Sequence, residues 1–322
     1  MERRTFLKTS ALASVGLALS GTAAFAEWKP RRPVSIILPY KAGGGTDSYA
    51  RAVASASDGL FPVPFVVVNK PGSSGITGAV EASRSRPDGT AVLLTSAGSF
   101  LLTSLLRETD VTPLDSFRIV AQIGKLTTSL MVPMNSPYQT LDDLVADIKA
   151  RPGEVRWAHT GNGGFHHVAG QGFLDSNDLE AVGVPFKGGS ATRAALIGEQ
   201  VDFGMIGIQQ AAGFENELRP LALNSDQRDA FMTEVPTFAE AGYDAVDVSS
   251  PIIMFAPKDT PDDVVAGLEA AMKEITESEA FINAMAERGN APVFLPGPEA
   301  EANLRAMKDN VSSIIGALKS QG

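Results

Sequence analysis

The 322-residue chain contains no cysteine. Disulfides, thiol nucleophiles and thiolate metal sites are thereby excluded, and stability has to come from apolar burial. Long hydrophobic runs are missing too. The apolar stretch Ala11 to Ala18 is far shorter than the roughly 20 residues that a membrane-spanning helix needs. Positive charge is in deficit, with 27 Lys and Arg against 37 Asp and Glu and a formal charge of −10. That balance argues against nucleic acid and anionic lipid as partners, and an anionic ligand would have to be held by local donors against the overall field. Nucleotide-binding and hydrolytic signatures are lacking as well. Ser48 stands where a dinucleotide fingerprint needs its third glycine after Gly43-x-Gly45, and no Gly-Lys-Ser/Thr follows. Gly72-Ser-Ser-Gly75 and Gly189-Ser190 place serines on loops, but neither fits the Gly-x-Ser-x-Gly of a nucleophile elbow. No internal repeat or low-complexity run is visible.

What is present is a strand, a glycine loop and a helix, repeated. The run Val34 to Leu38 is bounded by Pro33 and Pro39, and Thr46 or Asp47 can cap a helix carrying Tyr49, Ala50 and Val53 on one face. Between them, Gly43, Gly44 and Gly45 can turn with φ > 0 and present backbone N–H groups beside the positive end of that helix, a place that suits an anion. Gly44 is expected to be a site of close backbone approach to that anion, with φ > 0. A second such loop, Gly72-Ser73-Ser74-Gly75, follows the strand run Phe65–Asn69. Further strands are expected near Ala91–Thr95, Ile119–Ile123, Ser129–Val132, Trp157–His159, Val182–Pro185, Phe203–Ile206, Leu221–Asn224, Ile252–Ala256 and Val293–Leu295. Helices lie between them, among them Leu141–Ala150, one after Pro261 and a last one carrying Leu304 to Leu318. The alternation implies an α/β fold with mostly parallel sheets covered by helices, and 44% hydrophobic residues suffice for two packed domains.

Three motifs stand out early in the chain: Pro39-Tyr40-x-Ala-Gly-Gly-Gly-Thr-Asp47 with Ala50-Arg51, Val68-Asn-Lys-Pro-Gly72 with Gly75 and Gly78, and Pro87-Asp-Gly-Thr90. Gly161-Asn-Gly-Gly-x-x-His167, Val184-Pro-Phe-Lys-Gly-Gly189 and Val201-Asp202 continue them in order along nearly the whole chain. With these residues the chain resembles the Bug or TctC-like receptors of tripartite tricarboxylate transporters. The resemblance implies a two-lobed periplasmic binding protein (Venus flytrap) fold with the ligand cleft between lobes. Residues 27–124 plus 251–322 would form lobe 1 and residues 125–250 lobe 2. The implied ligand is a small mono-, di- or tricarboxylate. The implied partners are the membrane permease subunits of a tripartite tricarboxylate transporter, with no nucleic acid, no cofactor, no metal, no catalysis and a monomeric state. A sensory receptor signalling to a membrane kinase and an exported α/β hydrolase are the alternatives.

On this reading the ligand lies among Tyr40, Gly43–Asp47, Gly72–Gly75 and Ser96 on one side. Asn162, Gly163, Gly164, Phe165, His167, Phe186, Gly188, Gly189, Ser190, Arg193 and Asp202 would be on the other. His166 and His167 diverge by about 100° on a helix, which disfavours a shared metal, and His167 is expected to order its loop through a hydrogen bond. Phe165, where the family often has a small hydroxyl residue, is either a pocket wall or a lobe-packing residue. Asp47, Asp88 and Asp202 have simpler uses than acid–base chemistry, as helix cap, turn residue or strand-end acceptor. Arg193 opposes the dipole of its helix, so it either points to solvent or pairs with a surface carboxylate such as Glu199, or it reaches the cleft to hold a second ligand carboxylate. At the start of the chain, Arg3-Arg4 with Phe6-Leu-Lys8, the apolar Ala11 to Ala18 and Ala24-x-Ala26 look like a twin-arginine signal over residues 1–26, with a general secretory signal as the alternative. Three basic residues and one acidic residue lie in that segment, so a mature chain from Glu27 would carry −12 in the periplasm.

Overall fold

The computed structural model describes residues 30–107, 109–246 and 250–320, apart from the side chains of residues 310 and 312–320. The export signal expected over residues 1–26 lies outside the described residues, as does Ser249 at the return crossing between lobes.

Every expected strand forms, and several extend by a residue or more. The chain begins with β1 (Val34–Leu38), α1 (Gly45–Ser57), β2 (Phe65–Asn69), α2 (Ile76–Ser83), β3 (Ala91–Ser96), α3 (Ala97–Leu106) and β4 (Phe117–Leu126). It continues with β5 (Thr128–Pro133), α4 (Leu141–Ala150), β6 (Arg156–His159), α5 (Phe165–Ser176), β7 (Val182–Pro185), α6 (Gly189–Ile197), β8 (Phe203–Gly207) and β9 (Leu218–Asn224). It closes with β10 (Ser250–Pro257), α7 (Asp262–Glu277), α8 (Glu279–Ala286), β11 (Pro292–Pro296) and α9 (Gly297–Ser320).

Two sheets result, ordered β11-β4-β10-β3-β1-β2 and β7-β6-β8-β5-β9. The chain leaves the first after Leu126 and re-enters it at Ser250. Leaving β11 aside, the sheets share one plan. A first strand (β1, β6) lies between a second (β2, β7) and a third (β3, β8), followed by an incoming strand (β10, β5) and a last one (β4, β9).

The expectation of mostly parallel sheets is corrected. β1 runs parallel to β2 and β3, and β6 to β7 and β8, but β10 is antiparallel to β3 and β4, β5 to β8 and β9, and β11 to β4. Direction of entry explains most of this. β10 and β5 each arrive from the other lobe, so they start at the inter-lobe end and run away from it, whereas β1–β4 and β6–β8 run toward it.

Burial on both faces accounts for apolar runs that do not alternate with polar residues. Ile36 and Leu38 point into a core shared with Val53 of α1 and Leu268 and Met272 of α7. Ile37 points the other way, toward Phe100 and Leu101 of α3 and Leu304 of α9. In the second sheet Trp157, Phe203 and Met205 pack with Leu144 and Ile148 of α4 and Phe173 of α5, while Ala158 and Ile206 face Leu196 of α6. Each fully buried side chain of this size stabilises the fold by about 1.5–3 kcal/mol.

Candidate functional site

Since β1, β2, β6 and β7 all run toward the opening between lobes, the loops after them converge there. Helix α1 starts from Gly44, α2 from Gly75, α5 from Gly164 and α6 from Gly188, each without a side-chain hydrogen bond to its first turn. Three of the other helices are capped by side chains: Thr140 and Asp143 form a capping box on α4, Ser96 accepts from Ser99 N–H on α3, and Ser278 accepts from Phe281 N–H on α8, whereas α7 starts from Pro261 without such a cap. A side-chain cap contributes on the order of 1 kcal/mol. Forgoing it at four helix starts leaves N–H groups and the positive helix ends aimed at one cleft. A carboxylate supplies the missing acceptors.

In lobe 1, helix α1 begins before Thr46 and Asp47, so neither is its N-cap. Asp47 reaches back instead. Its carboxylate accepts from Gly43 N–H (3.0 Å), Arg51 Nε (2.7 Å) and Asn69 Nδ2 (3.1 Å), fixing the loop against the end of β2. Burial opposes ionisation of this carboxyl, but Arg51, the Gly43 N–H and Asn69 together hold it below the usual carboxylate range. With Gly43 N–H so occupied, Gly45 and Thr46 carry the amides without a protein acceptor among the described residues.

The positive φ expected at Gly44 is corrected. Gly43 has the left-handed φ of +86°, whereas Gly44 is extended at φ −88°, ψ 170°. A Cβ on Gly44 would meet nothing within 4 Å, so it faces open space, while at Gly45 a Cβ would come 2.2 Å from Gln209 Nε2.

Around β2 the loop is wound left-handed over four consecutive residues: Gly72 (φ 152°), Ser73 (47°), Ser74 (55°) and Gly75 (102°). Two serines in that region cost about 1–2 kcal/mol each, and such strain gathers at ligand loops. Both serines are exposed, while Gly75 N–H is closed onto Gly72 O at 2.8 Å. Tyr40 supports this loop, since a Cβ on Gly75 would lie 3.5 Å from its hydroxyl, which accepts from Thr95 Oγ1 at 3.1 Å. Burial pushes the Tyr40 phenol up. The Ser96 hydroxyl is engaged with Ser250 Oγ at the entry of β10.

In lobe 2, all three histidines of the chain stand together. His159 Nδ1 accepts from Gly161 N–H (3.3 Å) and His167 Nδ1 from Gly163 N–H (3.2 Å), so both rings must be neutral to hold the Gly161–Gly164 loop. Asn162 is the exposed tip of that loop. His166 Nδ1 pairs with Thr160 Oγ1 at 2.9 Å, and its Nε2 is buried without a partner. Burial and the neighbouring His167 push His159 down to about 4, burial and His159 push His166 down to about 3, and burial lowers His167. Gly188, at φ +96°, turns the chain into α6, where Gly189 lies against Gln210 and Ser190 borders the cleft beside Phe186.

Two expected site residues belong elsewhere, and a third, Arg193, has partners that were not expected. Phe165 is buried with Leu102 of α3 and Val311 of α9, making it a lobe-to-lobe packing residue and not a pocket wall. Asp202 precedes β8, and its carboxylate accepts from Arg156 N–H at 2.7 Å; β8 runs toward the cleft, so Asp202 sits at the far end. Arg193 is not paired with Glu199, whose carboxylate accepts from Asn135. Its guanidinium donates to Gln210 Oε1 (3.1 Å) and stacks 4.1 Å over Phe214, and burial lowers its pKa.

Sequence reasoning missed Gln209, Gln210, Lys41 and Lys187. Gln209 is wedged between Gly45 and Gly207, and its Oε1 is buried without a partner. Its signal was its place just after β8, at the same strand ends that mark the other loops. A cavity of ≈ 650 Å³ opens between Lys41 of lobe 1 and Pro185–Lys187, Ser190 and Ala191 of lobe 2.

Residues 49–315 match the profile of the tripartite tricarboxylate transporter family receptor. The chain belongs to this family. Protein BugT of Bordetella pertussis is 31% identical over 303 residues, spanning 89% of this chain and 90% of the relative. A solved periplasmic transporter superposes with a TM-score of 0.83 at 26% identity, covering 89% of the receptor and 97% of that structure. An R. palustris protein solved with adipate shares the fold at 24% identity, with a TM-score of 0.83 and coverage of 89% and 98%. The receptor thus has the two-lobed periplasmic binding protein fold, and its family is one of solute-binding receptors. Among its described residues, no helix is long and apolar enough to cross a membrane. Nor is any group of three or more His, Asp or Glu placed there to hold a metal ion.

Proposed function

We propose that the chain is a periplasmic receptor that closes its lobes, 27–124 plus 251–322 and 125–250, on a small organic carboxylate and delivers it to the permease of a tripartite tricarboxylate transporter. The observation that carries this reading is the meeting of four glycine-started, uncapped helices at one inter-lobe cleft. The amides of Gly45, Thr46, Ser73 and Ser74 face one side of the carboxylate, and the Asn162–Gly164 and Gly188–Ser190 segments close the other. Hydrogen bonds to a charged group contribute about 1.5–3 kcal/mol each, so a few support micromolar affinity after the cost of closure. Adipate in the R. palustris fold neighbour is a ligand of that protein, and it suggests probes for this one.

The test is mass spectrometry of ligand retained through gentle purification, followed by calorimetry with the compound identified. A retained carboxylate that binds with a one-to-one stoichiometry supports the reading; a receptor that binds no carboxylate refutes it. Capture of permease subunits by loaded but not empty receptor tests delivery. Export is proposed to use the twin-arginine route. Arg3→Lys with Arg4→Lys should hold the precursor in the cytoplasm, and undiminished maturation of the double variant would exclude that route.

A further inference from the structure

The Gly161–Gly164 loop holds the only Asn-Gly pair in the chain, Asn162-Gly163. Such a pair is chemically weak, because the glycine nitrogen, with no Cβ beside it, can reach the asparagine side-chain carbonyl and close a five-membered imide. Asn162 is exposed at the loop tip, and its amide has no hydrogen-bond partner among the described residues. The amides of Asn69, Asn135, Asn177, Asn224 and Asn290 are all anchored. No larger residue can replace Gly163, since its φ is +70° and a Cβ there would lie 2.9 Å from Leu106 Cδ1. Its N–H points at His167 Nδ1, 3.2 Å away. The His167 ring is held between Trp157 and His159, with centroids 6.0 and 4.4 Å distant. Burial lowers its pKa, so the ring is neutral at neutral pH and its Nδ1 lone pair can take a proton from the Gly163 nitrogen.

We propose that Asn162 is a self-modification site, converted to aspartate or isoaspartate as the receptor ages, with His167 as the general base. Gly163 N attacks Asn162 Cγ while its proton passes to His167 Nδ1. The N–Cγ bond forms and the Cγ–Nδ2 bond breaks, Nδ2 taking that proton and leaving as ammonia. Water then opens the imide at either carbonyl, which gives aspartate or isoaspartate. Each product fixes a carboxylate close to the uncapped start of α5, where it competes with a bound anion for the helix end and repels it. Isoaspartate also routes the backbone through Cβ, which moves Gly163 away from His167. The modification stands on the loop alone; its effect on binding rests on the carboxylate reading above.

The full mature receptor, held in neutral buffer and sampled over time by peptide mass spectrometry, tests this. Asn162 is expected to convert faster than any other asparagine, in part to isoaspartate that a protein isoaspartyl methyltransferase labels. His167→Gln, which keeps an acceptor for Gly163 N–H but no base, should convert about tenfold or more slowly. Asn162→Gln should keep its mass and its own starting affinity through the same interval. Converted receptor separated by ion exchange, and Asn162→Asp made directly, should bind the carboxylate that co-purifies with the wild type about tenfold or more weakly than fresh wild type. No conversion at Asn162, or conversion no faster than at Asn135, overturns the inference and leaves the carboxylate receptor standing. Equally fast conversion in His167→Gln overturns the role of His167 as base. Full affinity after conversion overturns the effect on binding. Conversion in a receptor that binds no carboxylate removes the receptor reading and keeps the modification.

Discussion

As pH falls from about 6.5 toward 3, the receptor is expected to lose several kcal/mol of stability through its three histidines. The sign follows from the direction of the shifts. His159, His166 and His167 are held below their ordinary value of 6.5, His159 at about 4 and His166 at about 3, so the folded state resists protonation that the unfolded chain accepts. Their contribution is complete above pH 6.5 and is lost as pH drops through those lower values. At about 1.4 kcal/mol per pKa unit, His159 alone contributes on the order of 3 kcal/mol. Protonation also turns Nδ1 of His159 and His167 from acceptor to donor, which breaks their bonds to Gly161 and Gly163. Ligand affinity should therefore fall before global unfolding. Calorimetric melting between pH 7.5 and 4 measures the effect, with His166→Leu as comparator, since leucine removes a titrating ring from a buried place. The variant should show a shallower decline below pH 5; identical slopes would remove the histidines from the account.

Asp47→Ala should have the largest effect on binding. It takes the common acceptor from Gly43 N–H, Arg51 and Asn69, so the loop that presents Gly45 and Thr46 loses its tie to β2. Hydrogen bonds to an ionised group of this kind contribute about 1.5–3 kcal/mol, and the donors left behind lose their partner. Carboxylate affinity is expected to drop at least about a hundredfold, on the order of 3 kcal/mol. Asp47→Asn keeps one acceptor in place and should lose less. Titration calorimetry and urea denaturation read the two consequences separately. A variant that melts earlier yet binds as tightly as the wild type would show that Asp47 serves the fold alone.

Local patterns were the most legible part of the sequence. Val34 to Leu38, set between Pro33 and Pro39, reads as a strand without any partner in view, and so do the other apolar runs. Strand direction was not legible, because Ile252 to Ala256 has the same composition whichever end faces the cleft; the crossing of the chain between lobes decides it. At the site, glycine content marked all four loops but not their conformations. Gly43 and Gly44 are identical in the sequence, and only the tie to Asp47 makes one left-handed and the other extended. Ser73 and Ser74 belong to a residue type that favours neither left-handed helix nor strain, so their φ values of 47° and 55° could not be foreseen. The partners of Phe165 and Arg193 are tertiary. Leu102 and Val311 come from distant parts of the chain, and Gln210 reaches Arg193 across α6 and β8.

The place of β10 between β3 and β4 also dictates an order of events during synthesis. The sheet of lobe 2 draws on consecutive strands, β5 to β9, and can pair as soon as Asn224 has emerged. In lobe 1 the partners of β4 are β10 and β11, so the middle of that sheet has no means of forming until the last quarter of the chain is being made. Joining Ser96 to Ile252 closes a long loop, whose entropic cost must be met before any pairing rewards it. Lobe 2 is therefore the early-folding half of the molecule, and lobe 1 completes only after translation has all but ended. A nascent chain halted before Ser250 would present β4 with both edges open, the form most in need of a chaperone.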